Sequence, residues 1–442
     1  LAKICEGKTK EVYEIPDAPN LVLLRAKDRI TAFNAARTHE VDGKASLSNV
    51  TTSLVFKFLN SVGLKTHFIK QYSETEFLAE RCAMIPLEWI TRRLATGSFL
   101  KRNPKVNEGY KFTPPKLEIT YKDDELGDPI WSEEMVIESG LVCSGVAIGK
   151  REVELMSRVT VVVFEILERA WARHGCTLVD MKVEFGVTVE GDIVLADVID
   201  SDSWRLWPNG DKRLQVDKQF YRDLIQVTAE NLKQLKSNFK WVQDKLDAFI
   251  TPPMGRVVVL MGSATDKAHC AKIRDECLAL GIPTDLRVSS AHKGTSETMN
   301  VIAEYEGDGV PTVFIAVAGR SNGLGPVTSG NTCFPVINCP PPTSDAFGPS
   351  DVWSSLRLPS GLGCSTVLSP ASAALAAANC LSLVDHMVWS RLRVKLLLNH
   401  INLMKADRNI QKDNDVTSKR FLHNVISTEE RKFSVRHIVN GN

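Results

Sequence analysis

Residues 177–207 read TLVDMKVEFGVTVEGDIVLADVIDSDSWRLW. Two apolar runs, Thr177–Val189 and Asp192–Ile199, flank a break at Glu190-Gly191. Apolar alternation in each run and a Gly-centred break predict a β-hairpin. Asp180, Lys182, Glu184, Asp197, Asp200, Asp202 and Arg205 are set among these β-formers. Paired side by side, Glu184 and Asp197 would make a hard-oxygen site suited to Mg²⁺, the companion ion of a nucleoside triphosphate. The same pattern suits two amphipathic strands with solvated outer faces.

Working outward, composition limits the classes of function. The chain has 442 residues, which predicts two domains. Its 54 Lys and Arg against 53 Asp and Glu give a net charge of +1. That balance argues against a nucleic-acid or membrane surface as the main partner. Ten cysteines occur without tight CxxC pairs, which fits reduced thiols in a cytoplasmic enzyme. No run is apolar enough to span a bilayer, and LAKICEGKTK does not read as a signal peptide.

Upstream, Gly7-Lys8-Thr9-Lys10 opens a predicted hairpin formed with Leu21–Leu24. Gly7 would let backbone N–H groups approach an anion, and Lys8 and Lys10 share one strand face. A plain basic edge strand has the same sequence. Met84–Trp89 reads as a short strand broken by Pro86, an apolar slot of the kind an adenine ring needs. Arg92, Arg93, Gly97 and Ser98 could hold a phosphate or carboxylate, or form a solvated basic turn. Lys122-Asp123-Asp124 is a polar loop. Helical spacing predicts helices over about 46–62, 152–174 and 232–249.

These segments occur in a telling order: Gly7–Lys10, Met84–Glu88, Ala95–Ser98, Lys122–Asp124, Leu178–Gly186 and Arg205–Trp207. On them, residues 1–250 resemble phosphoribosylaminoimidazole-succinocarboxamide (SAICAR) synthetases. The resemblance implies an α+β fold with an ATP cleft between two sheet-based lobes. It implies that ATP is consumed in joining a carboxylated aminoimidazole ribotide to L-aspartate. Gly7, Lys8 and Lys10 would meet the ATP phosphates, Met84 and Glu88 would line the nucleotide site, and Glu184 and Asp197 would hold Mg²⁺. Lys182 would lie near the transferred phosphoryl. Arg92, Ser98, Lys122, Asp202 and Arg205 would bind the ribotide. Some members carry an acidic residue where Asn34 stands.

Thr251-Pro252-Pro253-Met254-Gly255 ends the first pattern and predicts a linker, 251–255, with few contacts across it. Beyond it apolar strands alternate with helices: 256–261, 284–289 and 311–317 against helices near 273–280 and 294–305. This predicts an α/β doubly wound parallel sheet, which binds ligands at the carboxyl ends of its strands. Three turns fall there: Gly262–Asp266, Ser289–Lys293 and Ala318–Pro326. Each also suits a purely structural strand-to-helix connection.

GSATD, SAHKG and AGRSNGLGPV make residues 256–410 resemble AIR carboxylases, and Lys293 with Arg320-Ser321-Asn322 resembles the animal-type class that uses CO2 without ATP or another cofactor. By that resemblance Ser263, Asp266, Ser290, Arg320 and Asn322 would bind the ribotide, and Ser321 the CO2. His292 would move protons and Lys293 supply charge. Asn331 would line the next subunit's pocket in a homo-octamer built through this domain. The family usually has Pro where Thr295 stands. Residues 411–442 read as a mobile tail.

Together the halves resemble a bifunctional family that performs two consecutive steps of purine synthesis. Two rivals are weighed against it. A kinase-like phosphotransferase is suggested by Glu184-Phe185-Gly186, but no H-R-D catalytic loop follows the kinase pattern. A non-catalytic ribotide-binding scaffold would have no need for Glu184, Asp197, His292 and Lys293 together.

Overall fold

The computed structural model describes every residue except Asn34, Asp124, 343–347 and 412–442. The expectations for Asn34 and for the tail beyond 411 therefore lie outside the described residues. Two compact units divide the chain, Leu1–Val394 and the remainder from Lys395. The second is helical as far as 411.

Besides the two-stranded ribbons Arg29–Ala32 with Arg37–Glu40 and Val142–Cys143 with Val146–Ala147, residues up to Phe249 of the first unit build two larger antiparallel sheets. The smaller has five strands in the order Lys3–Glu6, Lys10–Glu14, Leu21–Ala26, Glu76–Glu80, Phe68–Gln71. The predicted basic hairpin is present, with Val12 opposite Leu24. Helix Lys44–Ser61 packs on this sheet and buries Val55, Phe56, Phe58 and Leu59. Burying such a side chain is worth about 1.5–3 kcal/mol each.

The larger sheet runs Ile130–Trp131, Lys111–Tyr121, Cys82–Leu94, Cys176–Thr188, Ile193–Ala196, with Trp204–Pro208 also paired to Cys176–Thr188. The predicted hairpin is therefore its centre. Its turn closes at Gly191, whose N–H donates to Thr188 O at 3.0 Å. Alternate residues Val179, Val183, Phe185 and Val187 are buried on the face that helix Lys150–Ala172 covers. That leaves Asp180, Lys182 and Glu184 for the other face.

Two local readings need correcting. Pro86 does not break the strand: Cys82–Leu94 is continuous, and its register slips opposite Glu184–Gly186, where proline lacks a donor. Nor is Arg92 in a solvated turn, since it lies within that strand and is 2% exposed.

From Arg256 the architecture is the doubly wound sheet. Five parallel strands stand in the order Thr284–Val288, Arg256–Met261, Thr312–Val317, Val336–Asn338, Ser365–Thr366. Val257, Val259, Val313 and Ile315 pack on one side against Cys270, Ile273, Ala374 and Ala377. Val258, Leu260 and Phe314 pack on the other, against Tyr305 and Leu324. All ten cysteines are free. Among the described residues no helix is long and apolar enough to cross a membrane.

The expectation of few contacts across 251–255 is wrong. Met254 N donates to Asp385 Oδ2 at 3.0 Å, and His386 Nε2 bonds Phe249 O at 2.7 Å. Arg393 holds Glu165 at 2.5 Å, and the Arg169 guanidinium lies 4.7 Å from the Trp389 ring centre. The chain segment before 395 returns to the first half and forms a seam that two prolines could not announce.

Candidate active sites

The larger sheet presents its charges through register. Asp180 stands opposite Arg92 on one neighbour and Arg205 on the other, and Glu184 stands opposite both Glu88 and Ala196. They form one wall of a cleft of about 720 Å³. Of the residues expected in the first half, Gly7, Lys8, Lys10, Glu88, Arg92, Ser98, Lys122, Lys182, Glu184, Asp197, Asp202 and Arg205 all line it. Met84 is exposed and is not in that lining. The Gly7 N–H is spent on Lys10 O at 2.8 Å, so this donor is not on offer to an anion.

At one end, Lys182 Nζ donates to Glu88 Oε1 and Glu184 Oε1, both at 2.7 Å. Lys122 Nζ donates to Glu184 Oε2 at 2.8 Å. Lys10 closes on the Asp197 carboxylate. Burial opposes charge on Glu184, but Lys182, Lys122 and Lys10 outweigh it and hold its pKa down to about 2. Burial likewise opposes the Lys182 charge, yet Glu184 and Glu88 hold its pKa above the ordinary lysine value. Lys10 goes the other way, to about 8, chiefly through burial.

Asp197 has a left-handed φ of 65°, and its carbonyl accepts from His67 Nε2 at 2.9 Å. Burial and then Lys10 push the His67 pKa down to about 3, so the ring is neutral and Nε2 carries the proton it donates. Glu184, held ionised, and Asp197 place hard-oxygen donors in the cleft lining. Among the described residues no group of three His, Cys, Asp or Glu side chains could cage a metal alone. Two carboxylates fit an ion that arrives with phosphate oxygens completing its shell.

At the other end, Asp180 Oδ2 accepts from Arg92 at 2.8 Å and from Arg205 at 2.5 Å. Arg92 also donates to Glu118 at 2.7 Å and to Ser98 Oγ at 3.2 Å. Arg205 sits over Gly97, where φ is 57° and a β-carbon would fall 2.5 Å from a guanidinium nitrogen. Asp202 accepts from Lys218 at 3.1 Å and lies 3.6 Å from the buried ammonium of Lys44. Sequence reading noted Asp180 as a charge without a role, and missed His67, Lys44 and Lys218. No local pattern marks them, because their partners are distant in the chain.

In the second half the three expected turns lie at the carboxyl ends of adjacent strands. Ser263 caps the first, with its Oγ accepting from Thr265 N at 3.3 Å. Burial raises the Asp266 pKa. Ser290 O receives Lys293 N at 3.1 Å and Gly294 N at 2.8 Å. The His292 ring lies against Gly323, bringing the second turn onto the third. Thr295 stands at the start of the following helix and donates to Ala291 O through its hydroxyl at 2.7 Å. Ser263, His292, Lys293, Arg320 and Ser321 are exposed along this edge.

Asn322 differs from them: it is 4% exposed. Its Oδ1 accepts from Gly325 N at 2.9 Å, and its Nδ2 donates to Ser355 Oγ at 3.0 Å. With both ends committed, it braces the third turn rather than facing a ligand. Buried Asn338 lies behind it, donating to Ser355 O at 3.4 Å. Asn331 is exposed, with Nδ2 on Val327 O at 2.8 Å.

Comparison with known proteins follows the same division. The SAICAR synthetase family matches residues 3–238 and the AIR carboxylase family residues 256–397. The chain is 58% identical over 414 residues to the human bifunctional phosphoribosylaminoimidazole carboxylase/phosphoribosylaminoimidazole succinocarboxamide synthetase, covering 93% of this chain and 97% of that one. The corresponding Drosophila melanogaster protein is 56% identical over 408 residues, covering 92% and 95%. A phosphoribosylaminoimidazole-succinocarboxamide synthase of Herpetosiphon aurantiacus is 44% identical over 247 residues, covering 56% of this chain and 98% of that one. A solved synthase of that name from Ehrlichia chaffeensis superposes with a TM-score of 0.50 at 33% identity, covering 57% and 100%.

Proposed function

The chain belongs to the bifunctional AIR carboxylase/SAICAR synthetase family of purine biosynthesis, and we propose that each half works at the site described for it. The domains are then 1–250 and 256–410, joined by 251–255. The second carboxylates 5-aminoimidazole ribotide with CO2, and the first condenses that product with L-aspartate using ATP.

In the first half, Lys8 and Lys10 neutralise the ATP phosphates and Lys182 faces the transferred phosphoryl. Glu184 and Asp197 would hold Mg²⁺, which when bound supplies further charge neutralisation on the phosphate oxygens. Arg92, Ser98 and Arg205 orient the ribotide, with Lys122 and Asp202 beside it. A ribotide carboxylate oxygen takes the terminal phosphoryl, giving an acyl phosphate and ADP. The aspartate amine then bonds the acyl carbon, the carbon–oxygen bond to phosphate breaks, and phosphate leaves as the amine loses a proton. Positioning and charge do this work, without a covalent protein nucleophile.

In the second half, Ser263, Asp266 and Ser290 hold the ribose and phosphate. The ring carbon bonds CO2 and its displaced proton passes to His292. Lys293, Arg320 and Ser321 stabilise the new carboxylate, and no cofactor takes part. A homo-octamer through this domain, with Asn331 reaching a neighbour, would cover the exposed edge.

The observation that carries this reading is the Lys182–Glu184 pair, which one strand presents among Lys10, Lys122 and Glu88. The test is a coupled assay with aminoimidazole ribotide, CO2, ATP, Mg²⁺ and aspartate. Omitting ATP should leave the carboxylated ribotide accumulating. A strict ATP requirement for carboxylation, or no succinocarboxamide in the full mixture, overturns it.

A further inference from the structure

The groups given roles in the ligase cleft are almost all charged, yet the substrate it must orient carries a flat ring. Two aromatic residues stand in the described lining. Trp204 is buried, whereas Phe33 is 60% exposed. Phe33 opens the tip of the ribbon Arg29–Ala32 with Arg37–Glu40, in which Ala32 pairs with Arg37. Its backbone is left-handed, with φ 54°, and so is that of Ala35, with φ 66°. That conformation drives Cβ against the following carbonyl, and a bulky residue seldom adopts it. Glycine would take the same φ without the cost. Strain of this kind persists only where the surroundings enforce it, and it collects at ligand clamps.

The surroundings do enforce it here. Ile30 and Ala32 are buried with Tyr221, Leu235 and Phe239. Arg37 donates to Tyr221 O at 3.2 Å and to Leu224 O at 2.7 Å. Ala36 N donates to Phe33 O at 3.0 Å, and Thr38 Oγ1 to Ala35 O at 3.1 Å. The Arg37 guanidinium also lies 5.2 Å from the Phe33 ring centre and 5.9 Å from that of Tyr221. One face of the Phe33 ring is thus backed by a cation. A large apolar side chain held out in water at a conformational cost does nothing for the core. The anchors also fix which end of the cleft it serves. Arg37 grips the helix Gln219–Asp223 and the residue after it, and Gln219 accepts from Arg205 at 3.3 Å. The tip therefore belongs with Arg205 at the ribotide end.

We propose that Phe33 is a stacking platform of the ligase cleft, taking the flat face of the ribotide's aminoimidazole ring. This rests on the ligase reading above. Arg92 and Arg205 can fix the ribotide by its charges. A platform sets the plane of the ring, and so the line along which its carboxylate meets the terminal phosphoryl.

The test compares Phe33→Gly, Phe33→Leu and Phe33→Tyr with the unchanged full-length chain. KM is measured separately for the carboxylated ribotide, ATP and aspartate, together with the thermal midpoint. The Gly variant should raise KM for the ribotide by roughly 5- to 20-fold, within the loss expected when an aromatic platform under a base is removed. KM for ATP and for aspartate, and the carboxylation rate, should not move. The midpoint of this variant should rise by about 2–4 °C, because left-handed strain is relieved. Tyr keeps the ring and should keep the ribotide KM, while Leu should fall between. An unmoved ribotide KM in the Gly variant, or a rise for ATP in its place, overturns the platform. So does a lower midpoint, which would make Phe33 a packing residue. If the unchanged chain makes no succinocarboxamide, it is the ligase reading that falls. The platform is then decided by titrating the carboxylated ribotide calorimetrically, with the carboxylase edge as a reference site common to both proteins. Weaker binding at one site in the Gly variant upholds it, and superposing isotherms overturn it.

Discussion

The two sites are built on opposite plans. In the cleft the charged side chains hold one another: Lys182 and Lys122 on Glu184, Lys10 on Asp197, Arg92 and Arg205 on Asp180. At the parallel-sheet edge Ser263, His292, Lys293, Arg320 and Ser321 stand exposed, and the buried polar groups beneath them do the holding. Asn322 braces the third turn, and Ser289 Oγ meets Thr298 Oγ1 at 2.6 Å under the second. A cleft preorganised by ion pairs can bind charged substrates without rearranging its dipoles. An edge of braced turns aims its groups equally well, but one chain does not enclose them. The cleft should therefore fail when a charge is removed, and the edge when a brace or a neighbour is removed.

The largest expected break is in the cleft. Glu184→Gln removes the anion that Lys182 and Lys122 share, and Asp197→Asn the one that Lys10 meets. Each should lower succinocarboxamide formation by about 10²–10³, typical for losing an electrostatic stabiliser, with carboxylation unchanged. A parallel fall in carboxylation would show that the sites are not separable in this way.

The counterpart at the edge is Asn322→Ala. It leaves Gly325 N and Ser355 Oγ without their partner in a buried place, at about 1–3 kcal/mol. The third turn should loosen, lowering kcat for carboxylation more than it raises KM, while ligation is untouched. Asn322→Asp, which keeps the acceptor for Gly325 N, should recover part of the rate. If KM for the ribotide rises instead with kcat intact, Asn322 is a ligand and the comparison is wrong at this residue.

What could be read from the sequence was whatever short spacing decides. The central hairpin, the strand-turn-helix alternation after Arg256 and the three turns follow from runs of a few residues. Convergence did not follow. Arg92 and Arg205 meet on Asp180 because three strands pair in one register, and no spacing within a strand states which neighbour it will have. His67 reaches the Asp197 carbonyl by the same long-range route. Pro86 was misread because proline disfavours a central strand, while a register slip accommodates it here. The seam was missed for a related reason: Pro252 and Pro253 describe only the local chain, whereas Asp385, His386 and Arg393 return from far beyond it.

Dilution separates the sites without mutation. If neighbouring subunits cover the edge, carboxylation per mole of chain should fall as the protein is diluted through the range where light scattering shows dissociation. Ligation per mole should stay level across that range. Carboxylation that stays level in dissociated protein would mean that one chain's exposed edge suffices.

The smallest effect tests the pairing within the cleft, through Lys10. Its pKa is held at about 8, below the ordinary lysine value of 10.5, chiefly by burial and also by the Lys182 and Lys122 charges, with Glu184 and Asp200 opposing them. Between those two values the folded chain releases a proton that the unfolded chain keeps. This group's contribution to stability therefore grows as pH rises through the window and is lost as pH falls through 8. Ligation should respond in the opposite sense, because a neutral Lys10 no longer offsets ATP phosphate charge. kcat/KM for ATP reports the free enzyme, so it should fall on the alkaline side with a midpoint near 8. At pH 9 only about a tenth of Lys10 would remain charged. Lys10→Arg keeps its charge throughout. Whatever its rate at pH 7, its ratio of pH 9 to pH 7 activity should exceed that of the unchanged chain by up to about tenfold. Carboxylation should give the same pH profile in both proteins, since Lys10 lies in the other site. An identical alkaline fall in ligation for both would remove Lys10 from phosphate neutralisation and leave its contact with Asp197 as a purely structural pair.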